Sequence, residues 1–130
     1  MRDEGSRRRC ERGSSAVEFA LVLPILVLVL AALVRVGLIA RDALLVQQAA
    51  RAAAREAAVT DDPARIESAL TNAATGLDAA RMTFTVERDG TRGDAVAVSV
   101  TYADLVAVGV PWLPDVVMLT ASAVMRQEFG

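Results

Sequence analysis

Arg12-Gly13-Ser14-Ser15-Ala16-Val17-Glu18-Phe19-Ala20-Leu21-Val22-Leu23-Pro24 is the stretch that decides the fold, and it runs on to Val34 without another charge. Upstream lie Arg2, Arg7, Arg8, Arg9 and Arg12, a basic leader expected to be flexible. From Ala16 to Ala40 only Glu18 and Arg35 carry charge, and a bilayer core needs about 20 apolar residues as helix. The segment is therefore read as a membrane span. Arg7, Arg8, Arg9 and Arg12 place its N-terminal side in the cytoplasm by the positive-inside rule. Glu18 stands out because a carboxylate at membrane depth costs several kcal/mol and marks a functional position by default. Pro24 lacks a backbone donor and is expected to kink the helix locally.

Two other export signals fit less well. A cleaved secretory signal has an apolar region of about 7–15 residues ending in a small-x-small site; here the run is longer and Val34-Arg35-Val36-Gly37-Leu38-Ile39-Ala40 matches poorly. Arg7-Arg8-Arg9 suggests a twin-Arg signal, but Cys10-Glu11-Arg12 follows where such a signal needs other residues. Cys10, the one cysteine, has no partner for an internal disulfide. It also precedes the apolar run, whereas a lipid-modified cysteine follows one, so it is read as a leader residue.

With 130 residues, part of them in the bilayer, the chain holds one small domain. Its 14 basic and 16 acidic residues give a net charge of -2, which argues against nucleic-acid binding. There is no His, and no nucleophile–base–orienter set or metal cluster stands out, so no enzymatic activity, metal or cofactor is expected.

Beyond the span the sequence stays helical. Arg41 to Ala58 is dominated by strong helix formers. Leu38, Leu45, Ala49, Ala53 and Ala57 form a narrow apolar stripe, with Arg41, Gln48, Arg51 and Arg55 on another side. Thr60-Asp61-Asp62-Pro63 ends the helix, which is thus expected over residues 15–59. The small residues serve close packing against the chain's own sheet or against related helices; the first is favoured, because so small a head has little other core.

Asp62 and Pro63 start a second helix carrying Ile66, Ala69, Leu70, Ala73, Ala74 and Leu77 at helical spacing, with Gly76 as its stop. The period then changes to two. Met82, Phe84 and Val86 form one strand face and Val96, Val98, Val100 and Tyr102 another. Asp89-Gly90-Thr91-Arg92-Gly93-Asp94 joins them; its Arg-Gly-Asp spells an adhesion tripeptide but is read as turn chemistry. A third strand is expected over residues 119–129, with Leu119, Ala121, Ala123 and Met125 facing inward. The apolar connection from Ala103 to Met118 either meets the membrane or a partner through Trp112 or folds as a flap over the sheet edge, and the flap is favoured. Asp78, Glu87, Asp89 and Asp104 are read as solvated faces and turns.

Taken together, residues 13–24 and the closing Leu119-Thr120-Ala121-Ser122-Ala123-Val124-Met125-Arg126 resemble a TadE-like minor pseudopilin of the tight-adherence (Flp-type) pilus and secretion systems. The resemblance implies an α+β, pilin-like fold: a long N-terminal transmembrane helix continuing as a spine, a short second helix and a small three-stranded antiparallel sheet. Residues 1–13 would be the leader, 14–40 the transmembrane helix, 41–60 the extracytoplasmic spine and 61–130 the head. It implies cleavage between Gly13 and Ser14 by a membrane-embedded prepilin peptidase on the cytoplasmic side. Glu18, beside Phe19, would then be the fifth mature residue and pair with the N-terminal amine of a neighbouring subunit. Two charges in a low dielectric offset each other's desolvation only when paired, so such a Glu selects register. The implied partners are the peptidase, other pilins or minor pseudopilins, the pilus assembly platform and the membrane. Ser14 departs from the large apolar first residue of the better-known type IV pilins, which leaves its N-methylation open. The rival reading is an unprocessed single-span protein whose outer head binds or senses a ligand.

Overall fold

A computed structural model describes residues 4–90, 93–105 and 116–128, with side chains from residue 15 onward. The order of elements is α1 (Glu4–Val59), α2 (Pro63–Ala73), a 3-10 turn (Ala79–Arg81), β1 (Met82–Arg88), β2 (Ala95–Leu105) and β3 (Val116–Arg126). This is the expected α+β layout. The chain divides into two compact units, residues 1–38 and 39–130.

In the first unit, α1 begins at Glu4 rather than near Ser15, so the backbone of the basic leader is helical and not the flexible segment expected. Arg is among the better helix formers, and only Gly5 and Gly13 oppose them there. The helix passes through Pro24 without ending. Its apolar side chains point outward: Val17, Phe19, Leu21, Ile25, Leu28 and Leu33 are each more than 60% exposed. No part of its most apolar window is buried inside the protein. A helix this apolar with no protein cover suits lipid on all sides.

The second unit is built on the remainder of α1. Val46, Ala49, Ala50, Ala53, Ala54 and Ala57 form one core cluster with Ile66, Leu70 and Ala74 and with Val96, Val98, Val100 and Tyr102 of β2. The stripe is therefore wider than expected, taking in Val46, Ala50, Ala54 and Ala58, while Leu45 is only half-buried. A sheet is broad enough to cover two adjacent rows of a helix, and methyl side chains let the backbones approach. Arg41, Gln48, Arg51 and Arg55 stay exposed, as read from the sequence. The alanines thus face the protein's own sheet.

Asp62 caps α2 by accepting from the Ala64 amide at 3.0 Å, with Pro63 in the first turn. The helix ends at Ala73, and Gly76 follows with φ of +104°, a conformation that disfavours any side chain. Asp78 repeats the capping device for the 3-10 turn and pairs with Arg81.

The strands lie in the order β1-β2-β3, both pairs antiparallel. The register forms two faces. Rows Met82–Tyr102–Leu119, Phe84–Val100–Ala121 and Val86–Val98–Ala123 belong to the core face. Rows Thr83–Thr101–Thr120 and Thr85–Ser99–Ser122 line the opposite face, where the Thr101 and Thr120 hydroxyls approach to 3.3 Å. β3 starts three residues before the expected Leu119, yet Leu119, Ala121, Ala123 and Met125 do face the core.

Asp104 corrects the reading of head carboxylates as solvated: it is 7% exposed. It continues the alternation of Val96, Val98, Val100 and Tyr102, so the period of two carries it to the core face. Trp112 and most of the apolar connection lie outside the described residues, as do Thr91 and Arg92 of the hairpin.

β3 runs alongside α1. Leu44 and Ala121 line one groove, and the Glu128 amide donates to the Ala58 carbonyl at 2.9 Å. Between these points α1 rises about 21 Å and β3 about 23 Å, so the two elements are close to parallel. At the far end Arg88 fastens β1 to the end of α1. Its guanidinium donates to the carbonyls of Ala57 and Thr60, both at 3.1 Å, and pairs with Asp61. A helix C-terminus leaves carbonyls unpaired and carries partial negative charge, so a guanidinium there suits it on both counts.

Candidate functional site

The candidate site lies at the start of the apolar part of α1. Gly13, Ser14, Glu18 and Phe19 occupy consecutive turns of a single helix, as do Arg7, Arg8, Arg9 and Arg12 before them. Ser14 and Glu18 are four residues apart, which puts them on one face about 6 Å apart along the axis. Phe19 is 65% exposed and Val17 62%. Glu18 is therefore set among exposed side chains.

The backbone at the Gly13–Ser14 junction is helical. Gly13 has no β-carbon and weakens a helix interior by roughly 0.5–1 kcal/mol relative to alanine. Gly13 therefore weakens the helix locally, between a run of arginines and a run of strong apolar residues.

The expected site residues fall into one cluster and two outliers. The four arginines, the junction, Glu18 and Phe19 lie together on the helix; Pro24 follows within the apolar run; Trp112 lies outside the described residues. No group of three or more His, Cys, Asp or Glu able to hold a metal gathers among the described residues. Arg88 and Asp104 were not singled out as structural residues by the sequence. The alternation through Tyr102 marks Asp104 as inward-facing, whereas the contacts of Arg88 span about thirty residues and leave no local signal.

Comparison with curated proteins and with solved structures returns no match. A family model does match. It covers residues 13–55, from the proposed junction through the apolar run and most of the buried alanine stripe. The model describes TadE-like proteins, and over that segment the chain is similar to them.

Proposed function

We propose that this protein is a minor pseudopilin, cut after Gly13 by a prepilin peptidase and then assembled into, or used to prime, a tight-adherence (Flp-type) pilus or secretion apparatus. The observation that carries the proposal is the position of Glu18: one carboxylate, one helical turn beyond the Gly13–Ser14 junction, on a helix whose apolar surface is uncovered. Cutting the junction leaves an ammonium on Ser14. In lipid that ammonium and the Glu18 carboxylate of an adjacent subunit compensate each other, and a helix entering in the wrong register leaves two charges uncompensated.

The arginines before the junction hold the leader on the cytoplasmic side, where the peptidase acts. Gly13 lets the helix unwind locally so that the peptide can enter an active site. The head then lies outside the cytoplasm. In this scheme the chain performs no chemistry of its own; its role is to be cut, to dock and to present the head.

The test is the N-terminal peptide of the protein recovered from membranes, identified by mass spectrometry with and without the peptidase. A mature start at Ser14 that depends on the peptidase is expected. A leader retained to Gly13 in the presence of the peptidase would instead favour an unprocessed single-span protein with a binding or sensing head. Replacing Gly13 with a bulky residue should block the cut. Glu18→Ala should leave cutting largely intact and reduce piliation, and normal piliation in that variant would refute the pairing role.

A further inference from the structure

We propose that the head docks edge to edge on a second copy of this chain, β3 of one copy pairing in parallel with β1 of the next, so that the sheets join into one continuous sheet. This rests on reading α1 as a membrane span and not on the cleavage step.

Among the described residues no strand pairs with the outer edge of β1 or of β3, and β3 itself lacks the usual protections. Over Val116 to Val124 it carries no charge and no Pro, and its pairing with β2 runs without a bulge. Its outward Met118 and Val124 are 61% and 62% exposed. An edge of this kind is a template for another strand.

Topology then selects the partner strand. A two-fold axis that pairs β3 with β3 in antiparallel fashion reverses every direction in the plane of the sheet. Since the spine of α1 runs alongside β3 from Leu44 to Ala58, the two spines of such a dimer would point in opposite directions and carry their Ile39 ends to opposite ends of the dimer. A sheet of three antiparallel strands has β1 and β3 pointing the same way. A sideways translation therefore sets β3 beside β1 of the next copy in parallel, and keeps every spine, with its Ile39 end, pointing the same way. The contact is head-to-tail, so it propagates.

The two edges complement each other in shape and charge. Extending the rows straight across the junction places Ala121 beside Phe84 of the second copy and Ala123 beside its Val86. Small thus meets large. A groove of about 540 Å³ opens at that point between Thr120, Ala121 and Ser122 of β3 and Ala40, Ala43, Leu44 and Gln47 of α1. Phe84 is only half-buried within its own copy, and it is the side chain aligned with this groove. On the other face Thr120 meets Thr83 and Ser122 meets Thr85, extending the hydroxyl rows. Arg126 lies diagonally across from Glu87, within reach of a long side chain. Both are exposed, and neither makes an ion pair within its own copy among the described residues.

The test is site-directed cross-linking of the full chain in its own membranes, in a Cys10→Ser background. Thr85→Cys and Ser122→Cys are placed on separate, differently tagged copies and oxidised. Within one chain these positions flank Ser99 on opposite sides and are too far apart to bridge. The expected result is a mixed dimer when both variants are present, no dimer from either alone, and a ladder of multimers when both changes are in one chain. Glu87→Arg should lower the dimer yield at least five-fold, and adding Arg126→Glu to the partner copy should restore it. Three outcomes overturn the proposal: self-linking of Ser122→Cys alone, linking only to a different protein, or no dimer while the variants melt like the parent.

Discussion

Removing the Arg88 guanidinium tests whether the end of α1 is fastened by that side chain or only by the alanine contacts beneath the sheet. Arg88 is 20% exposed and donates to two main-chain carbonyls, while its carboxylate partner Asp61 is 72% exposed. A hydrogen bond from a charged donor contributes about 1.5–3 kcal/mol, and a cation at a helix C-terminus adds about 0.3–1 kcal/mol. The exposed ion pair with Asp61 adds no more than about 1 kcal/mol. Water re-solvates the Thr60 carbonyl in the variant, because Thr60 is only half-buried, and this recovers part of the loss. The balance for Arg88→Ala is a loss of about 2–3 kcal/mol. For a head of this size 1 kcal/mol shifts Tm by about 4–8 °C, so the midpoint should fall by about 10–20 °C. The assay is a thermal melt of the detergent-solubilised full chain followed through the buried Tyr102. Arg88→Lys keeps the charge but not the two-pronged geometry and should fall between parent and alanine variant. Asp61→Asn should cost less than about 1 kcal/mol. If Asp61→Asn costs as much as Arg88→Ala, the ion pair is the main contributor and the carbonyl clamp is wrong.

The other expectations concern packing and caps. Ala53→Leu puts a larger side chain where the accessible surface is 0% and should cost about 1–3 kcal/mol or more by overpacking; Arg51→Ala, on the exposed side, should stay within about 0.5 kcal/mol in the same melt. Asp62→Ala removes the cap of α2 and should cost about 1 kcal/mol, visible as faster amide exchange at Ala64 and its neighbours. Gly76→Ala forces a β-carbon at φ of +104° to within 3.2 Å of the Arg41 guanidinium, and should cost about 1–2 kcal/mol. A fragment of residues 60–130 should show no cooperative melt, because Val96, Val98 and Val100 lose the helix that covers them, whereas residues 39–130 should melt cooperatively. A sharp transition in the shorter fragment would mean that the sheet has a sufficient core without α1.

Much of this architecture was legible in the chain because its periods change cleanly. Spacing of three and four through Ala57 and again through Leu70, then alternation from Met82, separates helix from strand. The inward set of β3 was legible for the same reason. The expected start, Leu119, is three residues late, although Pro114 and Asp115 stand immediately before Val116 and mark the boundary. The width of the alanine stripe depends on the breadth of the sheet above it, a tertiary fact. The start of α1 at Glu4 shows the helix propensity of the arginines prevailing where a flexible leader was expected. At the candidate site the spacing of Gly13, Ser14 and Glu18 is written in the sequence. What Glu18 would meet in the proposed assembly is not, because that contact would belong to two chains.

The sizes of the side chains along α1 explain why a single charge in it carries so much weight. The helix serves two environments. Lipid adapts to any side-chain shape, so the span gains from bulk, about 0.8 kcal/mol for each methylene removed from water, and Leu and Val fill it. A sheet does not adapt, so beneath it bulk separates the backbones, and alanine fills the buried rows. Exchanging the two compositions would fail at both ends: an alanine span would lose transfer energy, and a leucine spine would lift the sheet. Charges outside the buried rows are tolerated beyond Ala40 because Arg41, Arg51 and Arg55 reach water. Before Ala40 that freedom is lost to lipid for all but the ends of the span. Glu18 sits one turn inside one of those ends, deep enough for a carboxylate to be costly and, under the proposed cleavage, near enough to the junction for the new terminal ammonium to reach it. In the proposed scheme a carboxylate in the middle of the run would be too deep to meet the ammonium, and one before Ser14 would leave with the leader, so one turn past the proposed cut is the place where the same charge would both penalise wrong docking and be satisfied by correct docking.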